Sequence, residues 1–183
     1  MRKEGQIQKL VLSAMFLAMA FVLPFLTTGN NPILASSFSP IHIPVFLCGF
    51  VCGWQYAVPV GLLAPLLRFL FVHMPPTLYQ AISMMGELAT YGLVCGLLFP
   101  HFKKKNLIAV YVSLIAAMLA GRVVWGLLRY TLAYAGMAKD PFTFQAFLAG
   151  GFINAVPAFI LHLILVPAIV MALLRAGLIG RDK

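Results

Sequence analysis

His42 to Val72 reads HIPVFLCGFVCGWQYAVPVGLLAPLLRFLFV, about 31 residues in which Arg68 is the one formal charge. A helix needs roughly 20 apolar residues to cross a bilayer, so the stretch is too long for one ordinary span and short for two. Charge parity decides between them. Basic residues gather at Arg2, Lys3 and Lys9, at Lys103, Lys104 and Lys105, and at Arg175, Arg181 and Lys183. Lysine and arginine accumulate on the cytoplasmic side of membrane proteins, so an even number of crossings should separate successive clusters. Splitting the stretch near Gly53-Trp54-Gln55 satisfies that rule. It predicts two short helices, 42–53 and 56–72, the second bent by Pro59 and Pro65. Short spans are tolerated where neighbours cover irregular backbone or where helices line a cavity.

Working outward, a first helix is expected over 10–26, ending at Thr27-Thr28-Gly29-Asn30-Asn31-Pro32, whose residues favour turns. An uncharged loop then leads to Pro40. His73-Met74-Pro75-Pro76 forms an outer turn, and helices follow at 77–99, 107–134 and 145–174. The connection 135–144, with Gly136, Lys139, Asp140 and Pro141, lies outside. The apolar run through Phe25 is long enough to span and reads as a helix rather than a cleaved leader. The result is an all-α polytopic membrane protein, a compact bundle of six transmembrane helices forming one membrane domain over 1–183, with both termini cytoplasmic.

Composition agrees with this reading. Of 183 residues 62% are hydrophobic and 9% charged, and the mean hydropathy is +0.99, which demands a lipid-facing exterior. The net charge of +9 resides at segment ends, so its partner is the bilayer and not nucleic acid. Cys48, Cys52 and Cys95 lie in apolar stretches, where cysteine behaves as a small hydrophobe. Small residues recur one helical turn apart at Ala14 and Ala18, Gly49 and Gly53, Gly92 and Gly96, and Ala116 and Ala120, a spacing that lets helix backbones approach in lipid.

Ionisable groups inside a span are costly unless paired or hydrated, and mark function or a structural ion pair. Arg68, Glu87, Arg122 and Arg129 qualify. At about 1.5 Å of rise per residue, Glu87 falls near mid-membrane and Arg122 at or slightly outside the midplane. Arg122, Trp125 and Arg129 share one helix face. Three arginines against one glutamate suit an anionic or carboxylate-bearing ligand held by guanidinium forks. Asn154 sits at a depth to add a hydrogen bond, and Tyr79, Gln80 and Trp125 offer amphipathic walls. Two readings stay open: Glu87 with Arg122 is a structural salt bridge or a ligand-binding pair, and Arg68 and Arg129 contact ligand or snorkel to the interface.

His42, His73 and His162 fall on different segments without a metal-ligand spacing, so no metal site and no cofactor are expected. The chain has no phosphate-cradling Gly-rich loop with Lys-Ser or Lys-Thr, no Gly-x-Ser-x-Gly elbow and no His-Glu-x-x-His helix, which argues against an ATPase, a hydrolase or another enzyme. A proton-coupled secondary carrier or small channel using Glu87 is the alternative, and a thiol enzyme using Cys48 and Cys52 a more distant one.

The sequence resembles the substrate-specific S component of energy-coupling factor (ECF) transporters. The residues that carry the resemblance are Ala14-Met-Phe-Leu-Ala18, His42-Ile-Pro-Val-Phe-Leu-Cys-Gly-Phe-Val-Cys-Gly53, Ala64-Pro-Leu-Leu-Arg68, Met74-Pro-Pro76 and Glu87-Leu-Ala-Thr-Tyr-Gly92, in that order over most of the chain. The riboflavin-transporter-like group looks most similar. The resemblance implies a prokaryotic plasma-membrane subunit of six helices that encloses a vitamin or related micronutrient on the extracellular side. It also implies that Ala14 and Ala18 dock on a transmembrane coupling protein, and that Arg122, Trp125, Arg129 and Asn154 lie near the ligand. Transport would proceed by toppling of the whole subunit, driven by two ATPases on separate chains. Cobalt and nickel binders of the wider family carry an N-terminal Met-His pair where this chain reads Met1-Arg2, which turns the expectation away from a metal substrate. The arginine excess makes pantothenate the first choice, with a pyridine-type vitamin or a deazapurine tRNA-base precursor behind it.

Overall fold

A computed structural model describes residues 2–28, 37–138 and 141–179, with side chains from Gly5 onward. The expected turn at 29–32, and Lys139, Asp140, Arg181 and Lys183, lie outside the described residues, as do the side chains of Arg2 and Lys3. Every regular element described is helical: α1 Arg2–Thr28, α2 His42–Cys52, α3 Trp54–Val72, α4 Leu78–His101, α5 Leu107–Tyr134, α6 Phe144–Leu148, a π-helical turn Ala149–Ile153, and α7 Val156–Arg175. Five segments are long and apolar enough to cross a membrane: Gly5–Thr27, Trp54–Val72, Leu78–His101, Leu107–Tyr134 and Phe144–Arg175.

Contacts between helices fix their directions. Tyr56 near the start of α3 donates to the carbonyl of Gln6 near the start of α1 at 3.5 Å, and Arg68 near the end of α3 donates to the carbonyl of Phe21 at 3.0 Å. Helices α1 and α3 therefore run parallel. Helix α4 returns against α3, and α5 against α4, with Tyr79 donating to the Arg129 carbonyl at one end and Cys95 facing the Ser113 carbonyl towards the other. The start of α5 and the end of α7 share a groove lined by Leu107, Tyr111, Met171 and Arg175.

Because α1 and α3 are parallel, the chain must recross between them, as parity required. Helix α2 makes only the second half of that return. Its bounds are those expected for the short helix 42–53, and its 11 residues rise about 16 Å, roughly half of a 30 Å hydrocarbon core. Pro40 and Pro44 favour the late start: neither has an N–H to donate, and they sit where that loss costs least, ahead of the helix and in its first turn. All of α2 except Val51 is buried, as befits a helix that is apolar all round. The split at Gly53 is as expected. Gly53 has φ 91° and ψ 170°, backbone that side-chain-bearing residues rarely adopt, and the chain turns from α2 into α3 over this one residue.

Two elements differ from expectation. Helix α1 begins at Arg2, eight residues ahead of position 10, because its polar first turns continue the same helix into the apolar run. The sixth span is broken by the π turn and by Asn154-Ala155. Pro157, in the first turn of α7, lacks the N–H that would carry an α-helical ladder through this point.

Close contact between α3 and α4 rests on missing side chains. A Cβ on Gly61 would lie 2.6 Å from the backbone of Leu88 and Ala89, and one on Gly92 would lie 2.8 Å from the Cβ of Ala57. Gly61→Leu should therefore force the two helices apart, at a cost of about 1–3 kcal/mol. Thermal unfolding of the detergent-purified protein is expected to show a lowered Tm for this variant, and little change for Gly5→Leu, whose Cβ meets nothing within 4 Å.

Candidate functional site

The halfway start of α2 leaves room above it. A cavity of about 640 Å³ opens there, lined by Ser39, Pro40, Ile41 and His42 at the start of α2, by Pro24 of α1 and by Pro65 and Arg68 of α3. Its other walls are Met74 to Pro76, then Gln80, Met84 and Glu87 of α4, Arg122, Trp125 and Arg129 of α5, and Phe142, Ala146, Gly150, Asn154 and Ala155 around the broken sixth span. These positions occupy the end of the bundle opposite Lys103, Lys104, Lys105 and Arg175.

The floor is a buried polar network. Glu87, 2% exposed, receives Arg122 Nη1 at 3.0 Å and the Tyr91 hydroxyl at 2.5 Å on the same oxygen, Oε1. Tyr91 is in turn stacked on Phe46 of α2 at 4.6 Å. His42 Nε2 stands 4.0 Å from that oxygen. Its Nδ1 faces the Ser39 carbonyl at 2.9 Å, and His162 Nε2 of α7 faces the same carbonyl at 3.3 Å. The two imidazoles meet edge to face at 5.5 Å. A buried ion pair of this kind is costly to form and more costly to leave half-made, and here a phenol and an aromatic cage hold it in one geometry.

Above the floor, Trp125 separates two guanidinium groups. Arg122 lies 5.9 Å and Arg129 4.9 Å from its ring, within cation–π range. Arg122 also lies 5.2 Å from the Phe159 ring. Arg129 is held by Tyr79, whose ring it covers at 4.8 Å, and by Ser83, to which its Nε donates at 3.2 Å. The indole is fixed by Phe142 at 5.7 Å and Phe147 at 6.3 Å, and Gly150 and Gly151 of the π turn let the backbone pass over its edge. π turns often occur where a helix must bend around a functional site.

The structure thus brings Arg68, Glu87, Arg122, Trp125, Arg129 and Asn154 to one cavity. Tyr79 is not among the lining residues and packs against Arg129. Arg68 is buried and tied to the Phe21 carbonyl beside the Phe25 ring, so snorkelling does not describe it. His42 and His162 lie on different helices, as the sequence shows, but their rings, 120 positions apart, meet in the floor. Among the described residues no group of three or more His, Cys, Asp or Glu is arranged to hold a metal. Sequence reasoning passed over His42 as a site residue because it weighed histidine for metal spacing alone. Its position as an ionisable group in an apolar helix was the available signal. Cys48 and Cys52 lie deeper in α2, outside the cavity lining.

Fold and cavity together define a polytopic helical membrane protein with a charged, aromatic-walled chamber in one half of its thickness. The family model for the ECF transporter, substrate-specific component, matches residues 8–179, and the chain belongs to that family. It is accordingly a substrate-binding membrane subunit of an ECF-type importer, a multi-pass plasma-membrane protein that works with an energy-coupling module, and a transporter subunit rather than an enzyme. Comparison with curated proteins and with solved structures returned no match.

Removing one partner of the floor pair should expose the cost of the other. Glu87→Leu is expected to destabilise the purified protein by about 3–5 kcal/mol, and the double change with Arg122→Met to recover most of that loss. Chemical unfolding of the single and double variants measures the coupling directly.

Proposed function

We propose that this subunit captures a carboxylate-bearing micronutrient from the extracellular side, with pantothenate the first candidate. The observation that carries the reading is the charge of the cavity: among the described residues Arg68, Arg122 and Arg129 line it against Glu87, and Glu87 is already matched by Arg122. The excess cation has a natural complement in a small anion. Arg129, at the Trp125 ring, is the main carboxylate anchor; Arg122 contacts ligand from the floor, and Trp125 supplies a flat wall. Asn154 adds a hydrogen bond, Arg68 contributes field, and Glu87 and Tyr79 hold the arginines in place. Outward orientation follows from the basic clusters at the opposite end of the bundle, which the positive-inside rule assigns to the cytoplasm together with both termini.

The coupling surface in this reading is the outer face of α1. Ala14 and Ala18 are exposed there, flanked by Ile7, Val11 and Val22, which are also exposed. A small-residue face of this kind admits close approach by another helix in lipid, and it suits the transmembrane coupling protein whose two ATPases supply the energy.

Equilibrium binding of labelled pantothenate to the purified protein should weaken at least tenfold in Arg129→Ala, and unchanged affinity would remove Arg129 from the site. Ala14→Trp and Ala18→Trp should abolish uptake by the assembled transporter while leaving binding within about twofold; lost binding in these variants would count against the docking face. Uptake by this chain alone in proteoliposomes under a proton gradient would favour the carrier reading built on Glu87.

A further inference from the structure

The cavity floor ends in two polar atoms that nothing in the described structure satisfies. Arg122 Nε and His42 Nε2 are both buried and without a hydrogen-bond partner. Their residues are 6% and 3% exposed, and both line the cavity. The two atoms belong to one small region, since His42 Nε2 lies 4.0 Å and Arg122 Nη1 3.0 Å from the same Glu87 oxygen. Buried polar atoms are nearly always paired, and a pair left open at the base of a chamber points to the chamber's occupant.

Their hydrogen-bonding sense follows from their neighbours. A carbonyl oxygen can only accept, so the His42 Nδ1 that faces the Ser39 carbonyl at 2.9 Å carries the hydrogen. The Glu87 carboxylate is already matched by the Arg122 guanidinium, so a neutral imidazole leaves the floor without net charge. In that ring Nε2 presents a lone pair. Arg122 Nε always carries a hydrogen and can only donate. The floor therefore offers one donor and one acceptor on residues that meet at the same Glu87 oxygen.

We propose that the floor is a specificity site for a neutral group that both accepts and donates, a hydroxyl or a carbonyl adjoining an N–H, borne on the end of the ligand opposite its carboxylate. The hydroxyl oxygen or the carbonyl takes the Arg122 Nε hydrogen, and the O–H or N–H is given to His42 Nε2. Groups that only accept would set a lone pair against that of His42, and a methyl group would leave both atoms unpaired. Arg129, two helical turns further out and on the other side of Trp125, receives the carboxylate. The ligand is thereby oriented, anion outward and donor–acceptor end downward. This inference rests on the anion-binding reading of the same cavity.

The test uses the full chain in lipid nanodiscs and two matched pairs of carboxylates: pantothenate with its analogue lacking both hydroxyls, and nicotinate with its ring lactam, which carries an N–H beside a carbonyl. Isothermal titration should show the hydroxylated or lactam member of at least one pair binding about tenfold or more tightly than its partner. That preference should vanish in His42→Phe, which keeps a ring against Tyr91 and His162 but has no lone pair, and should persist in part in His42→Gln. Carboxylates that bind with Arg129 dependence but without preference within either pair would overturn this inference and leave the anion site standing. Should none of the four bind, the anion reading fails and the inference falls with it. If His42→Phe does not fold, the comparison within pairs in the unaltered chain decides.

Discussion

A carboxylate and a guanidinium, 3.0 Å apart in the middle of a membrane protein, set the terms for everything around them. Either charge alone at that depth would cost several kcal/mol, so α4 and α5 are held at the rotation that keeps Glu87 and Arg122 together. Tyr91 must stay within reach of the same oxygen, which presses it against Phe46 and fixes α2 against α4. The glycine contacts of Gly61 and Gly92 then allow α3 to close on α4 from the other side. The pair is thus a registration point for the bundle and, through the free edge of Arg122, part of the chamber it supports.

The chamber arises from an omission. A full-length second helix would fill the space between α1, α3, α4 and α5 with apolar side chains. Pro40 and Pro44 favour a helix start at His42, and the backbone ahead of it forms a floor of carbonyls and imidazoles instead. Irregular backbone at membrane depth is tolerated where protein covers it or where it lines a cavity, and both conditions hold for Ser39 to His42. On the opposite wall the π turn plays a similar part, trading regular hydrogen bonding for a close passage over Trp125.

Much of this was legible in the sequence because it depends on local signals. Charge parity demanded a return between α1 and α3, and Gly53 marked its end. Helical spacing put Arg122, Trp125 and Arg129 on one face, and the cost of intramembrane charge singled out Glu87. What was not legible depends on contacts between distant residues. Nothing in the neighbourhood of His42 or of His162 announces that their rings touch, and although the bounds of α2 were legible, an apolar run does not tell at what depth so short a helix begins. The break before Pro157 was within reach of sequence reasoning, since an interior proline is a known helix breaker, but a long apolar segment invited reading as one helix. Arg68 was ambiguous for a different reason: its partner is a backbone carbonyl, which no side-chain pattern reveals.

The half-length of α2 also has an electrical meaning. Moving one charge across a whole membrane changes its energy by about 2.3 kcal/mol for each 100 mV of potential. On the proposed reading, an anion drawn down to Arg122 would traverse the outer portion of that voltage drop before the importer's motor acts, and the fixed positive charges of Arg122 and Arg129 would offset the opposing field over that distance. A cell negative inside would repel a carboxylate of the kind proposed as ligand. On that reading the short helix would let capture take place part of the way down the voltage gradient, where Arg122 and Arg129 compensate for it.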